Sequence, residues 1–178
     1  TNLSVQESKE YDDKEKSENV VAIYTSESGK TIIVRNGKKD FSFDVFNSDL
    51  SKIHSHSIHK VKKEEDVGTL FFGNKLKLFT VYAPKSKERV VLCHTIDIDT
   101  YAYEKSELLN TNVEKGGNLF GKRKHRNTSF SMSPDSSSYA IATDNIRKNK
   151  NSYTVQVFNA ETNDLIYKKS YQESIDKK

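Results

Sequence analysis

The sequence lacks tryptophan entirely and has one cysteine, two prolines and no long hydrophobic run. The single cysteine, Cys93, excludes an intrachain disulfide and a zinc site made of several thiolates. No stretch approaches the roughly 18 consecutive apolar residues that a membrane-spanning helix needs. The N-terminal residues 1–4 lack the basic and apolar regions of a signal peptide. We therefore expect neither a transmembrane segment nor a signal peptide.

Apolar residues are scarce as well. They make up 34% of the 178 residues, whereas soluble domains usually reach about 45–50% with glycine included. This shortage predicts thin sheets with much wet surface, in a chain that is long enough for one compact unit. The 29 basic and 25 acidic residues are mixed along the chain and leave a net charge of +4. Charge alone therefore does not predict a nucleic-acid partner.

Short apolar clusters divided by polar turns indicate an all-β chain from residue 20 onwards. Residues 1–19 form a charged segment with little to bury, in which Leu3–Gln6 is a candidate for the last strand of a preceding unit. Helical periodicity is nearly absent. The exception is Tyr101–Leu109, whose composition favours a helix while its position in the chain's internal repeat favours a strand.

A four-residue motif, referred to below as the phrase, ends three stretches in which apolar and polar residues alternate. It consists of an apolar residue, Asn or Asp, any residue, then Asp or Glu. Its copies are Phe46–Asp49, Ile96–Asp99 and Phe158–Glu161. Because the acids recur in every copy, they predict turn caps rather than a single active site. Before each phrase, alternate residues share one face of a strand. The equivalent positions are Phe41, Phe43 and Val45; Val91, Cys93 and Thr95; and Tyr153, Val155 and Val157.

The repeat predicts three consecutive antiparallel meanders of four strands each. Asn36-Gly37 predicts a type I′ hairpin in the first meander, and Gly73-Asn74 predicts a hairpin in the second. The predicted units are residues 20–59, 67–109 and 127–173, with polar or charged connections at 60–66 and 110–126.

Ser133–Ser136, followed by an apolar strand and then by Val155–Leu165, resembles the β-propeller repeats of WD40-like and TolB-like proteins. The chain departs from WD40 repeats proper because it has no Trp and no Gly-His…Trp-Asp pair. Its composition, rich in Lys, Asn and Ser, is most similar to that of secreted or cell-envelope propeller proteins of Bacteroidota. The resemblance spans about residues 20–173 and implies a periplasmic, cell-surface or secreted protein built from propeller blades.

The expected blade count is about three, whereas a closed propeller normally has at least about four. The resemblance thus implies an incomplete propeller. The chain is then a segment of a longer protein with further blades, or one of two copies in a six-bladed ring, or an open stack of sheets with protected edges.

Two histidines are weak candidates for a metal site. His54 and His56 share one face of a predicted outermost strand, while His59 points to the other face. Two ligands are too few for a closed zinc site, so an exposed strand is the favoured interpretation. Alternation also sends Cys93 and His94 to opposite faces, which argues against a thiolate–imidazolium dyad and favours a core role for Cys93.

The densest basic run is a weak candidate for contact with an anion or an acidic partner. It comprises Lys122, Arg123, Lys124 and Arg126 together with His125. No aromatic residues interleave with it, so single-stranded nucleic acid is not favoured, and a solvated loop between blades is the simpler interpretation. The preceding Gly116–Gly121 has neither the Walker nor the dinucleotide spacing.

These observations predict a non-enzymatic scaffold or protein-interaction module without cofactors, whose partner is another protein. Fold-level analogy carries this expectation. The alternative is a ligand-binding or hydrolytic propeller whose site lies in blades outside this chain, which requires a central pocket with convergent carboxylates or histidines.

Overall fold

The computed structural model describes residues 18–85, 87–112, 128–147 and 150–174. These residues are all-β, without a helix, and form three four-stranded antiparallel sheets. Sheet A contains β1 (Asn19–Thr25), β2 (Thr31–Asn36), β3 (Asp40–Phe46) and β4 (Lys52–His59). Sheet B contains β5 (Glu65–Phe72), β6 (Lys75–Tyr82), β7 (Glu88–Asp97) and β8 (Tyr103–Asn112). Sheet C contains β9 (Thr128–Met132), β10 (Ser138–Arg147), β11 (Lys150–Asn159) and β12 (Leu165–Ser174).

Each sheet is a meander in which every strand pairs with the next one along the chain. This order confirms the all-β, blade-like class that the alternating clusters predict. Tyr103–Asn112 is a strand, so the repeat overrides the helical propensity of this segment. Within the described residues, no helix is long and apolar enough to cross a membrane.

Sheet B lies between the other two sheets and is buried on both faces. We call the face that carries Phe41, Phe43 and Val45, with its equivalents in the other sheets, the forward face; the opposite one is the back face. The forward face of sheet A packs on the back face of sheet B around Leu76, Leu78 and Ile96. In the same way, the forward face of sheet B packs on the back face of sheet C. Each of these two sheets therefore packs its forward face on the back face of the sheet that follows it in the chain.

The first strands of the sheets are neighbours, since β5 contacts both β1 and β9. Gly68 permits the closest approach. A Cβ atom added at Gly68 would lie 2.3 Å from Cδ1 of Phe130, which is far below any van der Waals contact. The ring of Phe130 therefore lies directly on the backbone of β5.

The type I′ prediction at Asn36-Gly37 is wrong. Neither residue has a positive φ, and four residues, 37–40, separate the paired residues Asn36 and Phe41 of β2 and β3. The Gly37 amide donates to the carbonyl of Asp40 at 2.9 Å, which closes a wider loop. In sheet B, by contrast, the predicted hairpin is present, and Gly73 takes a φ of 58° in its two-residue connection.

Candidate functional site

The recurring phrase forms side-chain-capped turns. Asp97 and Asn159 each accept hydrogen bonds from the backbone amides two and three positions ahead, at 2.9 to 3.0 Å. Asn47 accepts from the Ser51 amide at 3.2 Å in a turn that is one residue shorter. A residue with positive φ completes each turn, in chain order Leu50, Tyr101 and Asn163. The Asn or Asp at the second position of each copy is therefore a turn cap, as the repetition predicts, and of the acids at the fourth position Asp49 also accepts from the Ser51 amide, at 2.9 Å.

A buried lysine ties the third of these turns to sheet B. Nζ of Lys77 donates to the carbonyls of Ala160 and Glu161, both at 2.7 Å, and to Oδ1 of Asn163 at 2.9 Å. Lys77 is only 3% exposed, and this burial lowers the pKa of its ammonium group. The three acceptors explain how a cation is tolerated between two sheets.

The second turn is held by a partly exposed lysine of sheet A. Nζ of Lys30 lies 2.8 Å from Oδ1 of Asp99, and the hydrogen bond raises the pKa of Lys30. Asp99 also accepts from Nδ2 of Asn74 at 2.5 Å. Each interface of sheet B thus has a lysine that holds a turn of the following sheet.

A buried polar cluster lies between sheets A and B. Oε1 of Glu64 accepts from the hydroxyl of Thr80 at 2.5 Å and from Nε2 of His94 at 2.9 Å. Since a carboxylate only accepts, Nε2 carries a proton, and Nδ1 of His94 is hydrogen-bonded to the hydroxyl of Tyr103 at 2.9 Å. Burial raises the pKa of Glu64, but the hydrogen bonds from His94, Thr80 and the Val61 amide outweigh it and leave that pKa lowered.

The two candidate metal-binding histidines lie beside this cluster and face sheet B. The ring of His54 stacks on Tyr101 at 4.2 Å between centroids, and that of His56 contacts Tyr103 at 4.8 Å. They share a face, but they are half-buried instead of exposed, because Tyr101 in the β7–β8 turn and Tyr103 in β8 cover them. Burial lowers the pKa of His56. Within the described part of the chain, no group of three or more His, Cys, Asp or Glu residues is arranged to hold a metal ion.

Cys93 and His94 lie on opposite faces of β7. Cys93 is fully buried against sheet C, and burial raises the pKa of its thiol. His94 faces sheet A and contacts the ring of Phe41. The two side chains therefore do not form a nucleophilic pair.

A cleft of about 390 Å³ opens between the β2–β3 hairpin and the connection from β4 to β5. Its lining is dominated by basic residues: Lys38, Lys39, His59, Lys60, Lys62 and Lys63, with Val61, Glu64 and Glu65 completing the wall. The predicted basic run at Lys122, Arg123, Lys124 and Arg126 lies outside the described residues.

A second cleft, of about 360 Å³, lies along the first strands of the three sheets. Its described lining includes one carboxylate, Asp66, which accepts from Nδ2 of Asn36 at 2.6 Å. The lining is otherwise apolar or hydroxylic, with Phe130 at its base.

The forward face of sheet C is a candidate docking surface. It carries aromatic and aliphatic side chains that no described element covers. Tyr153 and Tyr171 stack at 4.9 Å between centroids, and the ammonium of Lys169 lies 5.0 Å from the Tyr171 ring. Tyr153, Tyr167 and Tyr171 are 36%, 50% and 37% exposed. The strand register places Val155 and Val157 on this same face.

Sequence reasoning missed the roles of Glu64 and Lys77. Glu64 belongs to a charged connection, where nothing distinguishes the one acid that turns inward. Lys77 lies between Leu76 and Leu78, and alternation suggests an outward-facing cation. One signal in the sequence does point to the burial of Lys77. Both faces of β7 are apolar, which indicates that its sheet lies between two others. A lysine on the neighbouring strand β6 then has no solvent on either side.

Comparisons with known proteins add little. No protein-family model matches the chain, and no curated protein matches it. One similar solved structure is the AfRom2 CNH domain, at 11% sequence identity and a TM-score of 0.24. The match covers 81% of this chain and 52% of that chain, so this chain spans about half the length of the matched structure. At such a low TM-score, the likeness carries no argument.

Proposed function

We propose that this chain is a non-enzymatic protein-interaction module of the β-propeller type, and that the forward face of sheet C is its docking surface. One observation carries the proposal. The positions of Tyr153, Val155 and Val157 correspond, residue by residue, to positions that sheets A and B bury against the next sheet. The third copy of this face has the same apolar character and no described sheet to cover it, and such patches mark association sites.

The proposed occupant is a second copy of the chain, with its own forward face turned to the first. The charges of this face favour self-association. Asp144 lies on β10 and Lys169 on β12, on either side of the apolar centre on β11. A two-fold axis along β11 brings β10 of one copy opposite β12 of the other, so each Asp144 approaches the Lys169 of its partner. Such a self-complementary patch is what a symmetric dimer requires.

Light scattering at rising protein concentration tests this function. The wild-type chain is expected to shift from monomer to dimer, and Val155→Lys should remain monomeric because it places a charge in the apolar centre. The matched control is Ile23→Lys. Ile23 is also exposed, at 59%, but lies on the back face of sheet A. A wild-type chain that stays monomeric contradicts the proposal, and so does a dimer that Ile23→Lys disrupts as strongly as Val155→Lys.

A location at a bacterial cell envelope is the remaining part of the proposal and rests on the resemblance alone. Fractionation of the source cells, followed by detection of the chain with an antibody, tests it. Recovery with periplasmic, surface or secreted material supports the location, and recovery with cytosolic proteins contradicts it.

A further inference from the structure

The cleft between the β2–β3 hairpin and the β4–β5 connection concentrates positive charge. Five lysines line it, whereas its two acids are both on one wall. Of these acids, Glu64 is 2% exposed and is committed to the buried cluster, so Glu65 is the lining acid nearer to solvent. Lys38, Lys39 and Lys62 are exposed. The cleft therefore presents a net positive surface to solvent.

A half-buried lysine, Lys60, fixes the two walls of the cleft relative to each other. The backbone amide of Lys60 donates to the carbonyl of Lys39 at 2.8 Å. Its Nζ donates to the carbonyl of Gly37 at 2.7 Å and to the side chain of Asn36, and it lies 4.4 Å from the centroid of the Phe41 ring. Lys60 thus serves the structure, and the cleft is preformed rather than assembled by its ligand.

The second wall is a tight turn that is anchored in the core. The Val61 carbonyl accepts from the Glu64 amide at 3.0 Å, and the Val61 amide donates to Oε2 of Glu64 at 2.8 Å. Lys62 and Lys63 occupy the tip of this turn, where Lys63 has a φ of 64°. Non-glycine residues seldom adopt this left-handed conformation unless the surrounding structure holds them in it. The buried Glu64 carboxylate holds the turn in this conformation.

The hydrogen-bonding groups of the cleft indicate the kind of anion that fits. The amides of Gly37, Lys60, Val61 and Glu64 already donate to acceptors within the protein. They cannot form a cradle of free amides for one phosphate. The positive charge instead comes from flexible lysine side chains spread over both walls, and ammonium groups act as point charges without the planar fork of arginine. This arrangement suits negative charges that are spaced along a chain.

We propose that this cleft binds an acidic peptide segment, rich in Asp or Glu, of a partner protein. The site is separate from the forward face of sheet C and does not depend on it. Carboxylates spaced along an extended peptide reach the exposed lysines of both walls, Lys38 and Lys39 on one side and Lys62 on the other. Glu65 at the rim disfavours deep entry of a carboxylate on its side.

Fluorescence anisotropy with a labelled oligoglutamate peptide tests this site. The wild-type chain is expected to bind the peptide, more weakly as salt rises, since salt screens exposed charges. The triple variant Lys38→Gln, Lys39→Gln, Lys62→Gln should bind about tenfold more weakly, because three exposed ion pairs are lost. The matched control removes three exposed lysines of sheets B and C: Lys75→Gln, Lys105→Gln and Lys168→Gln. It should bind as the wild type does.

Three results would overturn the proposal. The first is a wild-type chain that does not bind the peptide at low salt. The second is an equal loss of affinity in the triple variant and its control, which would reflect net charge alone. The third is tighter binding of an oligodeoxynucleotide of the same charge, which would identify the cleft as a nucleic-acid site. None of these results bears on the dimer, because Val155 and the cleft belong to different sheets.

Discussion

The two interfaces that sheet B makes with its neighbours are filled by different combinations of side chains. Towards sheet A it presents mainly aliphatic residues, flanked by the buried Glu64–His94 pair. Towards sheet C it also presents mainly aliphatic residues, but its Phe79 joins an aromatic stack that sheet C supplies, in which Tyr139 contacts Phe79, Phe130 and Phe158 at 4.6 to 5.7 Å between centroids. Both interfaces bury the same positions of the repeat, so the repeat determines where sheets meet and not what fills the interface.

The lysines of the two interfaces show the same contrast. Lys30 and Lys77 each hold a turn of the following sheet, but Lys30 has one exposed carboxylate partner and Lys77 has three acceptors in a buried site. Burial makes the second contact costly to lose, since its acceptors would have no water to replace the cation. The B–C interface should therefore be more sensitive to single substitutions than the A–B interface.

The largest effect is expected at the aromatic stack. Tyr139 is 1% exposed, and Tyr139→Ala should lower the free energy of unfolding by about 3–5 kcal/mol because it leaves a cavity. Tyr139→Phe keeps the ring and loses only the hydroxyl bond to Asn163, which should cost about 1 kcal/mol. Urea denaturation measures both. Equal losses in the two variants would show that the hydroxyl, and not the stack, stabilises this interface.

Lys77→Met should have the next largest effect. The substitution keeps the length of the side chain and removes the donor to Ala160, Glu161 and Asn163, at an expected cost of about 2 kcal/mol. Urea denaturation checks this value, and hydrogen exchange should show faster exchange in the turn after β11. A fully stable Lys77→Met variant would mean that burying the cation costs as much as its hydrogen bonds contribute.

Glu64 gives the A–B interface a dependence on pH. Its folded-state pKa lies below the ordinary value of 4.5, so the unfolded chain binds more protons in this range. The carboxylate therefore contributes stability that is present above about pH 4.5 and is lost as the pH falls through the folded-state pKa. Glu64→Gln should be less stable than the wild type by about 1–2 kcal/mol at about pH 7, and the difference should shrink in acid. A difference that stays constant would contradict the lowered pKa.

The smallest effect is expected at Lys30. Lys30→Met removes the ion pair to Asp99, but the pair is exposed to water, and such pairs contribute little to stability. Thermal unfolding should show no measurable shift in Tm at physiological salt. A loss comparable to that of Lys77→Met would remove the contrast between the two interfaces.

The sequence predicts the stacking of the sheets well because the repeat preserves which face is apolar. Phe43, Cys93 and Val155 occupy equivalent positions, and the first two are buried in successive interfaces. The β2–β3 hairpin is present, but its type I′ turn is predicted wrongly, because Nζ of Lys60, distant in sequence, binds both Asn36 and Gly37 and fixes a wider loop. Contacts of this kind depend on the tertiary structure, and no local pattern reveals them.

The candidate sites are harder to predict than the fold for the same reason. His54 and His56 are half-buried because Tyr101, in the β7–β8 turn, and Tyr103, in β8, cover them. The basic cleft likewise lies between the β2–β3 hairpin and the β4–β5 connection. In both cases the residues that meet in the structure are far apart in the sequence, so no local pattern predicts the site. Alternation does predict which residues share the forward face of sheet C, because that face belongs to the repeat.

A charge exchange on that face tests the central claim most directly. We expect Asp144→Lys and Lys169→Asp each to weaken the dimer several-fold, because each brings like charges together across the two-fold axis. The double variant, Asp144→Lys with Lys169→Asp, restores opposite charges and should recover wild-type association in sedimentation velocity. A double variant weaker than either single variant would contradict the two-fold docking of sheet C.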